Sequence, residues 1–292
     1  MTKLIFYIVD VFAEEKFAGN QLAVVTGADA LSTSDMQRIA SEMHFSETTF
    51  LLSDQVRKGG YDVRIFTPSE EVPFAGHPTL GTAYLIKRFI ASGSKRVVLN
   101  LKVGPTIVDS EVDGKGDQLE WMEQMPPKFG KIYDSAKIAN MLGLKRELID
   151  NNYPVQEVST GLPFIIVPLK NLKAVKKAKF NVDRLPLTNE IQVGILVFCP
   201  ETYKGENDLN VRVFAECYGI FEDPATGSAN GCLAGYLSNY EYFGGSEVDI
   251  SIEQGFEIGR PSLIRAKAEN KLGKIQVKVG GKVVLVAKGE FL

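Results

Sequence analysis

Histidine, cysteine and tryptophan are scarce in this chain: two, three and one among 292 residues. Two well-separated histidines and no clustered Cys or Asp argue against a zinc or iron site. The three cysteines, Cys199, Cys217 and Cys232, are odd in number and fit no disulfide framework, which suits a reducing compartment. Basic stripes are missing too. The net charge is -3 with Lys and Arg spread along the chain, so neither nucleic acid nor a membrane surface is an expected partner. No apolar run is long enough to span a bilayer. The opening "MTKLIFYIVDVFAEEKFAGN" has its apolar run broken by Asp10 and lacks the basic flank and cleavage pattern of a signal peptide, so the expected location is the cytoplasm. A P-loop lysine and a dinucleotide fingerprint are absent as well.

What is present is a 45% hydrophobic composition, long enough for two domains. Segments such as "KLIFYIVDVF", "NQLAVVT", "ETTFLLS" and "YDVRIFT" are rich in β-branched and aromatic residues and predict strands. After "LSTSD", Met36, Ile39, Ala40 and Met43 fall at helical spacing and predict a short amphipathic helix. "PPKFGKIYD" is expected to be a connection, followed by a helix at "SAKIANMLG" and further strands. A tight turn is expected at Gly280 and Gly281.

A long internal repeat organises these elements. "VRIFTPSEEVPFAGHPTLGTAYL" parallels "VRVFAECYGIFEDPATGSANGCLAGYL", "AGNQLAVV" parallels "TGLPFIIV", and "SETTFLL" parallels "QVGILVF". Arg64 and Arg212 are 148 positions apart, and Gly19 and Gly161 are 142 apart, so order is kept with little drift. The expected fold class is α+β: two similar α/β halves related by a pseudo-twofold, each a curled, barrel-like sheet around a central apolar helix. The halves are placed at 1–127 and 128–292, with the C-terminal tail available to add strands to the first. Their central helices are expected at about 78–91 and 228–240, with an active site in the cleft between the halves. Both helices are apolar on every side, as a surrounded helix must be.

Each helix starts at a loop rich in Gly, Pro, Thr and Ser, "PFAGHPT" and "EDPATGSAN". Free N–H groups and the positive end of the helix dipole make such a mouth attractive to a carboxylate or an oxyanion. Pro78 and Ser228 also suit an ordinary first turn and an ordinary cap. His77 at a helix N-terminus is expected to be neutral, because the dipole opposes positive charge there. Asp223 reads either as a turn-forming Asp-Pro residue or as a carboxylate that orients a ligand. Glu47 opens a strand of Thr, Phe and Leu where glutamate is disfavoured; its counterpart in the second half is Gly194 or Ile195. A solvated strand edge is the ordinary reading of Glu47, whereas burial near the helix mouths would fit it for proton transfer. His44 and Trp121 read as structural.

"DVFAEEKFAGNQLAVV", "SETTFL", "VRIFTPSEEVPFAGHPTLGTA", "FEDPATGSANG", "QGFEIGRPS" and "VGGKVVLVAKGEF" together resemble the PhzF-like isomerases of phenazine biosynthesis over nearly the whole chain. The resemblance implies a diaminopimelate-epimerase-like fold and a cofactor-free enzyme, also without a metal, that moves a proton on a small unsaturated or cyclic carboxylic acid. It implies catalytic roles for Glu47, His77, Asp223 and Ser228, with the proton carried by Glu47. Substrate binding is assigned to Gly76, Pro78, Thr79, Gly227, Ala229 and Asn230 at the two mouths. A homodimer is implied as well. Related racemases of that fold carry a cysteine ahead of each helix glycine, where this chain has Ala75 and Thr226. Two other functions remain open: an epimerase or racemase of an amino or hydroxy acid, and a non-catalytic binding protein on the same fold.

Overall fold

In the computed structural model, residues 4–180, 193–216 and 220–292 are described. The first stretch of elements is β1 (Ile5–Val11), β2 (Asn20–Thr26), α1 (Thr33–Met43), β3 (Glu47–Leu51), β4 (Tyr61–Phe66), β5 (Glu71–Val72), α2 (Gly76–Phe89), β6 (Arg96–Leu101), β7 (Gly104–Val112) and β8 (Gln118–Gln124). It continues with β9 (Lys128–Ile132), α3 (Ser135–Met141), β10 (Gln156–Ser159), β11 (Pro163–Pro168), α4 (Leu172–Lys177), β12 (Gly194–Cys199), β13 (Leu209–Ala215) and β14 (Ile220–Asp223). The chain ends with α5 (Gly227–Asn239), β15 (Val248–Gln254), β16 (Ser262–Lys271), β17 (Lys274–Gly281) and β18 (Val283–Glu290). Two compact units emerge, one made of Met1–Glu123 with Gly280–Leu292 and the other of Gln124–Val279.

In the first unit the strands pair in the order β18, β1, β2, β3, β4, β6, β7, β8. Only β2/β3 and β4/β6 are parallel. In the second unit the order is β9, β10, β11, β12, β13, β15, β16, and only β11/β12 and β13/β15 are parallel. From β18 to β7 the first series matches the seven strands of the second one for one, in order and in direction. The C-terminal β18 takes in the first unit the place that β9 takes in the second, covering the edge of β1 that would otherwise present unpaired backbone groups. Among the described residues no pairing joins β18 to β8, so the first sheet curls without closing.

Each unit keeps one long helix against its sheet. In α5 every residue from Ala229 to Ser238 is buried, and in α2 the run His77–Ala83 with Leu85, Ile86 and Lys87. An all-round apolar surface finds partners only when strands lie on several sides of it. A Cβ on Gly81 would lie 2.6 Å from Leu22 Cδ2 and 3.0 Å from Val11 Cγ2, so the helix backbone touches β2 and β1 directly. Lys87, the first charge along α2, is itself buried. Its ammonium donates to Glu120 Oε2 at 2.7 Å, Ser110 Oγ at 2.6 Å and the Val108 carbonyl at 3.0 Å, which compensates the lost hydration.

The repeat also governs an ion pair. Arg64 on β4 donates from Nε and Nη2 to both oxygens of Glu71 on β5, at 2.8 and 2.7 Å. Arg212 on β13 does the same to Glu222 on β14, at the same distances. Each guanidinium also stacks on the aromatic ring two residues onward, Phe66 or Phe214.

Several sequence expectations shift. The central helices begin at Gly76 and Gly227 and end at Phe89 and Asn239, one or two residues earlier than read. The expected connection "PPKFGKIYD" contains strand β9, and α4 was not foreseen. Gly280 and Gly281 lie in β17; the tight turn is at Leu272 and Gly273, both with positive φ. Gly280 instead makes room for Trp121, whose Cδ2 would sit 2.5 Å from an added Cβ. His44 closes α1 in the left-handed conformation, a structural role. Cys217 lies outside the described residues.

Candidate active site

In the first unit, α2 starts on Ala75 as N-cap, with no side chain capping it. Thr79 spends its hydroxyl on the Ala75 carbonyl at 2.7 Å, and its N–H bonds the same oxygen at 3.3 Å. Pro78 is the third helical residue, where its missing N–H costs nothing. The donors left at this mouth are therefore the N–H groups of Gly76 and His77, narrower than the set expected from sequence. The His77 ring is buried, and its Nε2 lies 3.4 Å from Glu47 Oε2. Glu47 is the first residue of β3, with its side chain 15% exposed, so it does not stand in bulk water.

Burial pushes the His77 pKa down to about 3, opposed by a hydrogen bond with the Gln21 backbone. Because that bond favours the protonated ring, the ring donates to the Gln21 carbonyl. Nε2 has no hydrogen-bond partner among the described residues, which leaves Nδ1 as the donor. The neutral imidazole thus turns its basic nitrogen to the Glu47 carboxyl. A carboxyl and an imidazole so placed are able to pass one proton between them.

In the second unit α5 starts on Thr226, again without a side-chain cap. Ser228 is therefore not the cap; it is the second helical residue, partly exposed, with its carbonyl accepting from Thr160 Oγ1 at 3.4 Å. The Asn230 N–H bonds the Thr226 carbonyl at 3.0 Å, leaving the N–H groups of Gly227, Ser228 and Ala229 at this mouth. The buried Asn230 side chain is also engaged, donating to the Thr226 carbonyl at 2.9 Å and to Gln254 Oε1 at 2.8 Å, so it braces the helix start. Asp223, 6% exposed at the end of β14, accepts from the Thr226 hydroxyl at 2.5 Å. Gln124 holds the Gly227 carbonyl at 3.0 Å, and Thr160 holds Gln124 Oε1 at 2.6 Å.

Strand register aligns the two sites residue by residue. Glu47 pairs with Leu22 in parallel β2/β3, and Gly194 pairs with Phe164 at the matching place in β11/β12. The counterpart of Glu47 is therefore Gly194, and the Phe164 ring fills the space a side chain there would need. Asp223 pairs with Val213, and its counterpart Val72 pairs with Ile65. Equal steps along the two helices then match Ala75 with Thr226, Gly76 with Gly227, and His77 with Ser228. Each half thus carries a carboxylate where the other carries an apolar residue.

The phenazine biosynthesis-like protein family model matches residues 9–289. The chain belongs to this family. It is 34% identical to a trans-2,3-dihydro-3-hydroxyanthranilate isomerase of Pseudomonas fluorescens, over 98% of this chain and 99% of that one. The crystal structure of a phenazine biosynthesis protein of the PhzF family from Bacillus anthracis superposes with a TM-score of 0.92 at 29% identity, covering all of both chains. A probable proline racemase from Agrobacterium radiobacter, 10% identical, superposes with a TM-score of 0.61 over 99% of this chain and 93% of that one, which shows the shared diaminopimelate-epimerase-like fold. The chain is an enzyme of the isomerase class.

Within this phenazine biosynthesis-like isomerase, Ala75 and Thr226 are the two N-cap residues, so neither mouth offers a thiol at that position. Cys199 and Cys232 are buried, with burial pushing their thiols up to about 12 and about 11. Among the described residues no three His, Cys, Asp or Glu side chains are placed to hold a metal ion, and no helix is long and apolar enough to cross a membrane. Sequence reasoning missed Gln254 and Gln124, which organise the second mouth. The only signal for Gln254 was its place in "QGFEIGRPS"; Gln124 carried none.

Proposed function

We propose that this isomerase shifts a proton on a small unsaturated or cyclic carboxylic acid, with Glu47 as the general acid and base. The observation that carries the reading is the contact between Glu47 and the neutral ring of His77. Glu47 removes a proton from a carbon acidified by conjugation, the double bond moves, and the same carboxyl returns the proton to a second carbon on the same face. One C–H bond breaks and one forms, so no oxidant or reductant enters. His77 turns its basic Nε2 toward the Glu47 carboxyl and accepts a hydrogen bond from it when Glu47 carries the proton.

Free N–H groups at a helix mouth suit a substrate carboxylate and the negative charge that spreads over the conjugated system. Ser228 donates a hydrogen bond to that carboxylate, and Asp223 orients a polar substituent. Support for assigning one carboxylate as the sole acid/base comes from Gly194, which gives the second half no group at the matching position.

The test is deuterium incorporation from deuterated water into a panel of unsaturated and amino carboxylic acids, including trans-2,3-dihydro-3-hydroxyanthranilate. The wild type is expected to label at least one compound far faster than Glu47→Gln does. Equal labelling by both proteins across the panel would overturn the reading.

A further inference from the structure

Four buried or half-buried groups at the start of α5, Gln254, Thr226, Asn230 and Asp223, form one hydrogen-bonded network. Gln254, fully buried on β15, accepts at Oε1 from the Thr226 N–H at 3.2 Å and from Asn230 Nδ2 at 2.8 Å. Its Nε2 donates to the Asp223 carbonyl at 2.7 Å and to Thr226 Oγ1 at 3.0 Å. The opposite amide orientation would set Nε2 against the Thr226 N–H, so the direction is fixed. Since Thr226 Oγ1 already accepts from Gln254, its own proton is committed to Asp223 Oδ2, 2.5 Å away. That length is what a hydroxyl donating to a charged carboxylate gives.

The repeat shows that the fold does not require this network. The first unit builds the same strand, loop and helix with Val72 in place of Asp223 and Ala75 in place of Thr226. Leu99 matches Ile252 through the parallel pairs Tyr61/Leu99 and Leu209/Ile252, so Leu101 stands in place of Gln254. Asp223, Thr226 and Gln254 are all replaced by apolar residues in the first half, whereas Asn230 is matched by Thr79, which likewise bonds the N-cap carbonyl. The Asn230 bond to the N-cap carbonyl therefore belongs to the helix start, while the Thr226 and Gln254 part of the network accompanies Asp223.

We infer that Thr226 and Gln254 are positioning residues for Asp223, which hold its carboxylate ionised and in one orientation toward the substrate. This rests on the role proposed above for Asp223. Gln254 aims the hydroxyl, and the hydroxyl holds Oδ2. Neighbouring charges on the packed strands are engaged elsewhere: Glu222 with Arg212, and Glu253 with the N–H groups of Tyr203 and Lys204.

The test uses the full-length protein with carbon-13 in its aspartate carboxyls, the Asp223 signal being assigned by its loss in Asp223→Asn. Thr226→Val is expected to raise the Asp223 titration midpoint by about one pH unit, the tenfold change expected on losing a hydrogen bond to the charged form. Thr226→Ser is expected to restore it. A folded Thr226→Val with an unmoved midpoint overturns the inference. Should Thr226→Val not fold, Gln254→Leu is read by the same criterion. This titration needs no substrate, so it decides the inference even if no compound in the deuterium panel is labelled. Where a substrate is found, Thr226→Val is expected to lower kcat about tenfold with Thr226→Ser near wild type.

Discussion

His77 Nε2 stands 3.4 Å from Glu47 Oε2, bringing the start of α2 against the start of β3. Neither residue has a like counterpart in the second half, where Ser228 and Gly194 occupy the matching positions. The two halves therefore carry different chemistry at the same backbone places.

The buried neutral His77 makes stability depend on pH. Its pKa falls from 6.5 to about 3 on folding, so between those values the unfolded chain binds a proton that the native chain does not. Stability from this group is complete above pH 6.5 and is lost as pH falls toward 3, by up to about 1.4 kcal/mol per pH unit. Glu71, lowered from 4.5 to about 2 chiefly by its Arg64 hydrogen bonds, adds its own loss only below 4.5. Urea midpoints between pH 7 and pH 5 are expected to fall more steeply in wild type than in His77→Asn; parallel profiles would refute a buried neutral ring.

Glu47→Gln keeps the size of the side chain and removes its ability to carry a proton. The turnover number in the deuterium assay is expected to drop by roughly 10²- to 10⁴-fold, the usual contribution of a general acid or base, with KM changed much less. His77→Gln is expected to lose less than Glu47→Gln. A KM effect without a kcat effect for Glu47→Gln would place the residue in binding only.

The two arginine pairs differ in burial, which sets their cost of disruption. In Arg212–Glu222 the side chains are 8% and 4% exposed; in Arg64–Glu71 they are 25% and 12% exposed. Arg212 also donates to the carbonyls of Val175 and Ala178 at the end of α4. Removing one charge from the deeper pair strands the other in the interior, so Glu222→Gln is expected to cost about 3–5 kcal/mol in denaturant unfolding. Glu71→Gln is expected to cost clearly less.

Gly81 allows close approach of α2 to the sheet, and an added methyl group meets side chains of Leu22, Val11 and Val9. Gly81→Ala is expected to destabilise by about 1–3 kcal/mol despite the better helix propensity of alanine. Gly245→Ala, with open space around its Cβ, is the control and is expected to stay near wild type in the same thermal melts.

Much of this was legible in one dimension. Apolar runs and paired motifs located both central helices, because a helix with no polar face has to be surrounded whatever its neighbours are. The short range of turn chemistry made boundaries less readable: Pro126 and Pro127 with Gly130 looked like a connection, yet β9 pairs with β10 there. The turn was placed at Gly280–Gly281, but Leu272 and Gly273 take the positive φ values. Gly280 makes room for Trp121, a contact invisible from local composition.

The sequence alone determined the repeat, the family and the residue types available for chemistry, since order and spacing are properties of the chain itself. Only the tertiary structure decided which of them meet. Parallel register made Gly194 the counterpart of Glu47 in the repeat, burial made His77 neutral, and Gln254, distant in sequence, aimed the Thr226 hydroxyl at Asp223. Contacts of that kind depend on distance through space and on exclusion of water, and neither is written in the spacing of residues along a chain.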